Sequence, residues 1–194
     1  LNYRNLRLNY YAVQALLARA YAWQGNATKA YEICKNDIID KITTEEMAVF
    51  PWVTEGQVHA EGKPDFLFSS EVMFALYNSK RTSVYSSLFS PALNSKSSRL
   101  TFVGANYSDS KFAFFYDDVN DWRREMWQIA EVKATEEGVE DESSLYMNKF
   151  ADFEQGTTAS STDLYRYMMP LVRLSEVYLM AAEGAPTREE AFSY

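Results

Sequence analysis

The chain has 194 residues and a formal net charge of −8, with 47% hydrophobic and 15% aromatic residues. Twelve Phe, fourteen Tyr and four Trp exclude an intrinsically unfolded chain, and a single cysteine excludes a disulfide framework. An acidic balance repels phosphate and so excludes non-specific nucleic-acid binding, and the apolar runs are too short to cross a bilayer as helices.

Leu1 is not an initiator Met, and no charged-then-apolar leader precedes it. The last residues, EEAFSY, stop inside a helical pattern, so the chain reads as a piece of a larger protein. In RLNYYAVQALLARAYAWQGNATKAYEICKNDIID, Val13, Leu16, Leu17 and Ala20 fall at helical spacing and predict a core-facing stripe. Gly25-Asn26 is a helix stop. A second stripe, Ala30, Ile33, Cys34 and Ile38, predicts an antiparallel partner helix. Ala18, Tyr21, Gly25 and Ala30 match the spacing of a tetratricopeptide repeat. Small residues there let two helices approach, and such a unit needs neighbours to bury both of its faces.

Thr43 to Glu46 reads as a capping box opening a short helix before Pro51. Residues 52–64 read as a loop, 66–78 as a short strand or buried segment, and the Ser-rich 79–98 as a long irregular loop. An aromatic run at 112–116 leads into DDVND and the helical-looking DWRREMWQIAEV. Residues 136–144 read as an acidic loop and 155–162 as a linker. In MPLVRLSEVYLMAAEGAPTREEAFSY, Pro170 suits a first helical turn. Leu171, Leu174, Tyr178, Ala181 and Ala182 form the stripe, Gly184 and Pro186 end the helix, and Thr187 with Glu190 caps the next.

Chemistry-bearing residues are sparse. The one histidine, His59, sits in a polar loop, and Cys34 on a packing face reads as a buried, inert thiol. Metal-ligand spacings and phosphate-cradling glycine loops are missing, so no cofactor is expected. Asp117, Asp118 and Asp121 admit a glycosidase reading, but a helix cap ahead of WRREMW explains them better. Binding fits the residues better than catalysis. Trp52, Tyr85, Phe89, Tyr107, Trp122, Tyr146 and Tyr165 lie off the obvious core stripes, with Arg81, Asn94, Arg99 and Asn106 near several of them. Aromatic faces against C–H patches, with planar polar groups at hydroxyls, are what a sugar requires.

RLNYYAVQALLARAYAWQGNATKAYEICKNDII and MPLVRLSEVYLMAAE closely resemble the two most recognisable stretches of the SusD/RagB family, nutrient-binding lipoproteins of the Bacteroidetes outer membrane. SEVMFALYNS, DWRREMW and YMNKF resemble its intervening segments in the same order. The resemblance implies a mainly α fold in which tetratricopeptide-like helix hairpins support an irregular, loop-rich part with a few short strands. It divides the chain into a hairpin scaffold at 1–50, a ligand-facing part at 51–165 and a truncated second scaffold segment at 166–194. It also implies a non-catalytic protein on the cell surface, held by a lipid on an N-terminal Cys absent from this chain. Such a protein delivers an oligosaccharide, or in some members a peptide, to a TonB-dependent SusC-like transporter. The family fixes no binding residues, so Trp52, Arg81, Tyr85, Phe89, Asn94, Arg99, Asn106 and Tyr107 are chosen from loop position and chemistry. Ala18, Tyr21, Gly25, Ala30, Arg173, Glu176 and Tyr178 carry over as scaffold. The alternative reading is a tetratricopeptide-type scaffold that binds a protein partner.

Overall fold

The computed structural model describes residues 4–44, 49–90, 101–103, 111–130, 144–152 and 164–194, which are mainly helical with a few short strands. The helices are α1 (Tyr10–Trp23), α2 (Ala27–Glu32), α3 (Asp40–Thr44), α4 (Glu55–Val58), α5 (Arg81–Leu88), α6 (Phe112–Phe115), α7 (Leu174–Gly184) and α8 (Arg188–Ala191). The strands are β1 (Val72–Tyr77), β2 (Thr101–Val103), β3 (Trp127–Ala130), β4 (Ser144–Met147) and β5 (Met168–Arg173). They fall into two units: Leu1–Val53 with Phe68–Asn78 and Met168–Tyr194, and Thr54–Leu67 with Ser79–Tyr167.

In the first unit, Asn9 caps α1 by accepting from Ala12 N at 3.0 Å, while its amide donates to Met73 O at 2.9 Å. Gly25 takes φ +81° just past Trp23, the left-handed turn expected of it. Asn26 then caps α2 by accepting from Lys29 N at 3.1 Å. The second helix runs on through a π-helical stretch, Ile33–Ile39, into α3. Tyr10 at the start of α1 donates to Asp37 near the end of this helix at 3.1 Å, so the two are antiparallel. Ala30, Ile33, Cys34 and Ile38 are buried as the stripe predicts.

The stripe predicted for α1 is wrong in part. The helix buries Ala12, Ala15 and Ala18, whereas Val13 and Leu17 are 48% and 42% exposed and Ala20 is exposed too; of the four stripe residues only Leu16 packs on the core. Methyl-sized side chains give the closest interhelical approach, so the alanine face wins although the larger apolar residues lie elsewhere. Thr43 is not a cap either: it lies within α3, donating its hydroxyl to Ile39 O at 2.8 Å, and Glu46 lies outside the described residues.

The strand expected within 66–78 is β1, but its partner is the segment read as a helix start. β5 pairs with β1 antiparallel, placing Pro170 opposite Ala75 in a two-stranded sheet. A proline is tolerated on such an edge because its missing N–H removes no ladder bond from a central strand. Leu171 therefore lies on the strand, exposed, and α7 begins three residues later with Leu174, Val177, Met180 and Ala181 buried. Arg19 grips this junction: its Nε and Nη2 each reach the Glu176 carboxylate at 2.6 Å, and Nη2 also reaches Leu171 O at 2.6 Å. Thr187 Oγ1 accepts from Glu190 N at 3.1 Å and caps α8, as its spacing predicts.

In the second unit β4 lies between β2 and β3, antiparallel to both. The stretch expected to be helical from Asp121 is a 3-10 turn, Trp122–Met126, that leads into β3. Asp121 caps that turn by accepting from Arg123 N at 2.9 Å. The 52–64 loop contains α4, where Thr54 and Gln57 form a reciprocal capping box. The supposed Ser-rich loop contains α5, because Ser86 and Ser87 donate to the carbonyls of Thr82 and Val84 at 2.9 and 3.1 Å instead of competing with the helix. Residues 136–143 and 155–162 lie outside the described residues.

Two outcomes follow from the packing of the first unit. A Cβ on Gly184 would stand 2.4 Å from Ala27 O and 2.8 Å from Tyr31 Cβ. Gly184→Ala therefore lowers stability by about 1–3 kcal/mol in urea denaturation, because the overlap outweighs the helix propensity that Ala gains. Burial pushes the Cys34 thiol up to about 12. At pH 8 about one thiol in ten thousand is ionised, so an aromatic disulfide reagent labels the protein only after it unfolds. Rapid labelling of the folded chain would contradict the burial.

Candidate functional site

The site is built on α5. Arg81, Tyr85 and Phe89 are four residues apart, so they share one face of the helix. All three turn toward the segment after β4. Tyr85 donates its hydroxyl to Asn148 Oδ1 at 2.9 Å, Arg81 Nη2 reaches Ala151 O at 3.5 Å, and the rings of Phe89 and Phe150 lie 6.3 Å apart. Asn148 is buried, and its backbone N–H is held by Met126 O at 2.6 Å, which fixes the segment to the turn before β3. These side chains position the helix; its other face is left outward.

That outward face carries hydroxyls. Thr82, Ser83, Ser86, Ser87 and Ser90, with Tyr85, Asp152 and Arg166, line an open groove of ≈ 640 Å³. The size lies within the range of about 300–1,000 Å³ common for small-molecule sites. Ser86 and Ser87 use their protons on the helix itself, so their oxygens present lone pairs outward. At the rim Arg166 donates to Asp152 Oδ2 through Nη2 at 2.6 Å and Nε at 3.2 Å. The same two residues also line a small cavity of ≈ 30 Å³ with Phe66, Leu67, Arg81 and Lys149. Burial pulls the Arg81 guanidinium down from its ordinary range; Asp152 opposes this and Arg166 adds to it.

Of the residues chosen from the sequence, the structure therefore brings Arg81, Tyr85 and Phe89 together, with only Tyr85 on the groove itself. Trp52 belongs to the first unit, where its half-exposed ring packs edge-on against Tyr178 at 5.2 Å. Asn94, Arg99, Asn106 and Tyr107 lie outside the described residues. Asp152, Arg166, Asn148 and the serines were missed. The signal for the serines was the spacing 81, 85, 89, legible only once the Ser-rich stretch is read as a helix; Asn148, Asp152 and Arg166 come from distant segments and carried none.

The remaining candidates have other work. Arg123 holds Asp121 ionised, drawing its carboxyl below the usual range through hydrogen bonds of 2.6–3.0 Å. That is the opposite of what a general acid needs. Asp118 accepts from Asn120 N at 2.9 Å in a local turn. His59 Nε2 lies 3.1 Å from Glu125 Oε1, tying α4 to the 3-10 turn. Among the described residues no cluster of His, Cys, Asp and Glu could hold a metal, and no helix is long and apolar enough to cross a membrane.

A family model described as the SusD family matches residues 68–186, more than half of the chain. A crystal structure of a SusD superfamily protein from Bacteroides thetaiotaomicron aligns over 100% of this chain and 41% of its own, with a TM-score of 0.62 and 22% identity. At that identity the likeness is one of fold, and the chain spans less than half the length of that protein. No curated protein matches the chain.

Tyr85 offers a direct check of the site. Burial, with Tyr146 nearby, pushes its phenol up from 10.0 to about 12. The folded state thus favours the neutral phenol: the stabilisation is complete below pH 10.0 and is lost as the pH rises through about 12. In an alkaline absorbance titration Tyr85→Phe removes one late-titrating tyrosine. It also costs about 1–2 kcal/mol in urea denaturation, because the buried Asn148 oxygen loses this donor. An unchanged titration curve would contradict the burial of this phenol.

Proposed function

The chain belongs to the SusD family, and on that premise we propose that it captures an oligosaccharide without altering it and passes it to a TonB-dependent, SusC-like transporter. In the full-length protein the site faces outward from the bacterial outer membrane, to which an N-terminal lipid holds it. The helix pairs of 1–50 and 166–194 act as a tetratricopeptide-like scaffold, and 51–165 is the ligand-facing part. No cofactor takes part.

The observation that carries this reading is the groove along α5. Serine oxygens, a phenol and an Arg–Asp fork supply the alternating acceptors and donors that sugar hydroxyls satisfy, and the groove is open enough for a chain to run through. Arg81 and Phe89 serve by holding α5 in place, and Tyr85 does both. Asn94, Arg99, Asn106 and Tyr107 stay in the proposal as further contacts, and Trp52 as a separate contact of the first unit. A non-catalytic role agrees with the ionised, capping Asp121.

A second reading, a scaffold that docks a protein partner, has its own observation. Tyr10, Val13, Leu17 and Ala20 form an exposed apolar stripe along α1 at the 3-4 spacing of a helix-packing seam. The two readings separate by mutation. In affinity electrophoresis over a polysaccharide panel, at least one polysaccharide retards the protein. Ser83→Trp, which fills the groove from an exposed position, weakens that retardation by about tenfold or more while the helical circular dichroism stays unchanged. Leu17→Glu leaves retardation intact. Loss of retardation in Leu17→Glu but not in Ser83→Trp, or binding only to a peptide panel, would overturn the oligosaccharide reading.

A further inference from the structure

The hydroxyl groove has a direction and a charge balance. Ser83, Ser86, Ser87 and Ser90 stand at i, i+3, i+4 and i+7, so they form one row along α5. Ser83, Ser86 and Ser87 are exposed, and the Ser90 N–H still bonds Tyr85 O at 3.1 Å, which carries the row past Leu88. The row repeats once per helical turn, about 5.4 Å, and from Thr82 to Ser90 the lining runs for about 12 Å. Over so short a length it is straight, because helices curve only gently. Among the described residues the lining has one carboxylate, Asp152, and one cation, Arg166, bonded to each other at 2.6 Å. The rest of it is neutral hydroxyl and phenol, in a chain whose net charge is −8.

Resting on the oligosaccharide reading above, we infer that the ligand is neutral and extended: a β-1,4-linked oligosaccharide that lays about three pyranose rings lengthwise on the serine row, one to each turn of α5. In such a chain each ring advances by nearly one helical turn, so successive rings meet successive serines in the same register. An α-1,4-linked chain coils, and its rings turn away from a straight row. Ser86 and Ser87 spend their protons on the helix and offer acceptors, which ring hydroxyls satisfy as donors. A uronate would bring charge to a lining that has no net charge to receive it, against the repulsion of an acidic chain.

The test is isothermal titration calorimetry of the full chain with β-1,4-linked trisaccharides of glucose and mannose, each in neutral and uronate form, and with maltotriose. One neutral β-1,4 form binds about tenfold or more tighter than both maltotriose and its own uronate form. Its affinity rises from the disaccharide to the trisaccharide and levels off beyond, where further rings leave the row. The double variant Ser83→Ala/Ser87→Ala, which keeps strong helix formers on α5, loses about fivefold or more of that affinity while the helical circular dichroism stays unchanged. Maltotriose binding as tightly overturns the extended shape, and a uronate form binding as tightly overturns the neutrality. An undiminished affinity in the double variant overturns the serine row as the seat. Each of these leaves oligosaccharide binding itself standing. Binding of none of the five overturns the inference, and the reading beneath it falls with it only if the polysaccharide panel also shows no retardation.

Discussion

The constraint on which the first unit depends is how closely its helices approach. α2 and α7 approach until there is no space for a methyl group at Gly184, whose missing Cβ would overlap Ala27 O. α1 meets the same requirement with Ala12, Ala15 and Ala18, all at 0% exposure. At that separation Ile33, Cys34 and Ile38 reach Leu174, Val177 and Ala181 in one cluster, which also takes in Met73 of β1 and Val172 of β5. Close approach multiplies dispersion contacts that are individually small. The bidentate Arg19–Glu176 pair then sets the register between α1 and the β5–α7 junction. With each side chain about one-third exposed, 31% and 35%, it contributes geometry more than energy, about 1 kcal/mol or less.

Much of this scaffold is legible in the sequence because its signals are local. The stop at Gly25, the stripe Ala30, Ile33, Cys34 and Ile38, and the cap at Thr187 each depend on residues within a turn or two. The errors come where a long-range contact overrides a local preference. MPLVR resembles a helix entrance, yet it becomes β5 because β1 lies ready to pair with it from Val72 to Tyr77, about a hundred residues earlier in the chain. Val13 and Leu17 are a sound helical stripe on the wrong face, since a pattern of apolar residues does not tell which face has the smaller ones to spare.

The candidate site was harder to read for a different reason. Serines usually mark loops because their hydroxyls compete for backbone groups. In α5 that competition is resolved within the helix, where Ser86 and Ser87 bond carbonyls one turn back. Choosing Arg81 and Tyr85 for their chemistry selected residues of α5, but chiefly of its inward face. The hydroxyl face stands between them in sequence, and Asp152 and Arg166 arrive from far along the chain.

The division of labour on α5 also explains how the helix keeps a buried arginine on its inward face. Arg81 is held at 4% exposure by a helix whose other inward residues, Tyr85 and Phe89, are themselves anchored on 148–150. The Tyr85–Asn148 bond and the Phe89–Phe150 rings fix the helix by neutral contacts, and with it the place of the buried guanidinium. Asp152 holds Arg166 at the rim of the groove through two bonds to a single carboxylate oxygen. A helix held this way keeps its hydroxyl face in place whether or not a ligand is present, and a site that is already organised spends little of its binding energy on ordering itself.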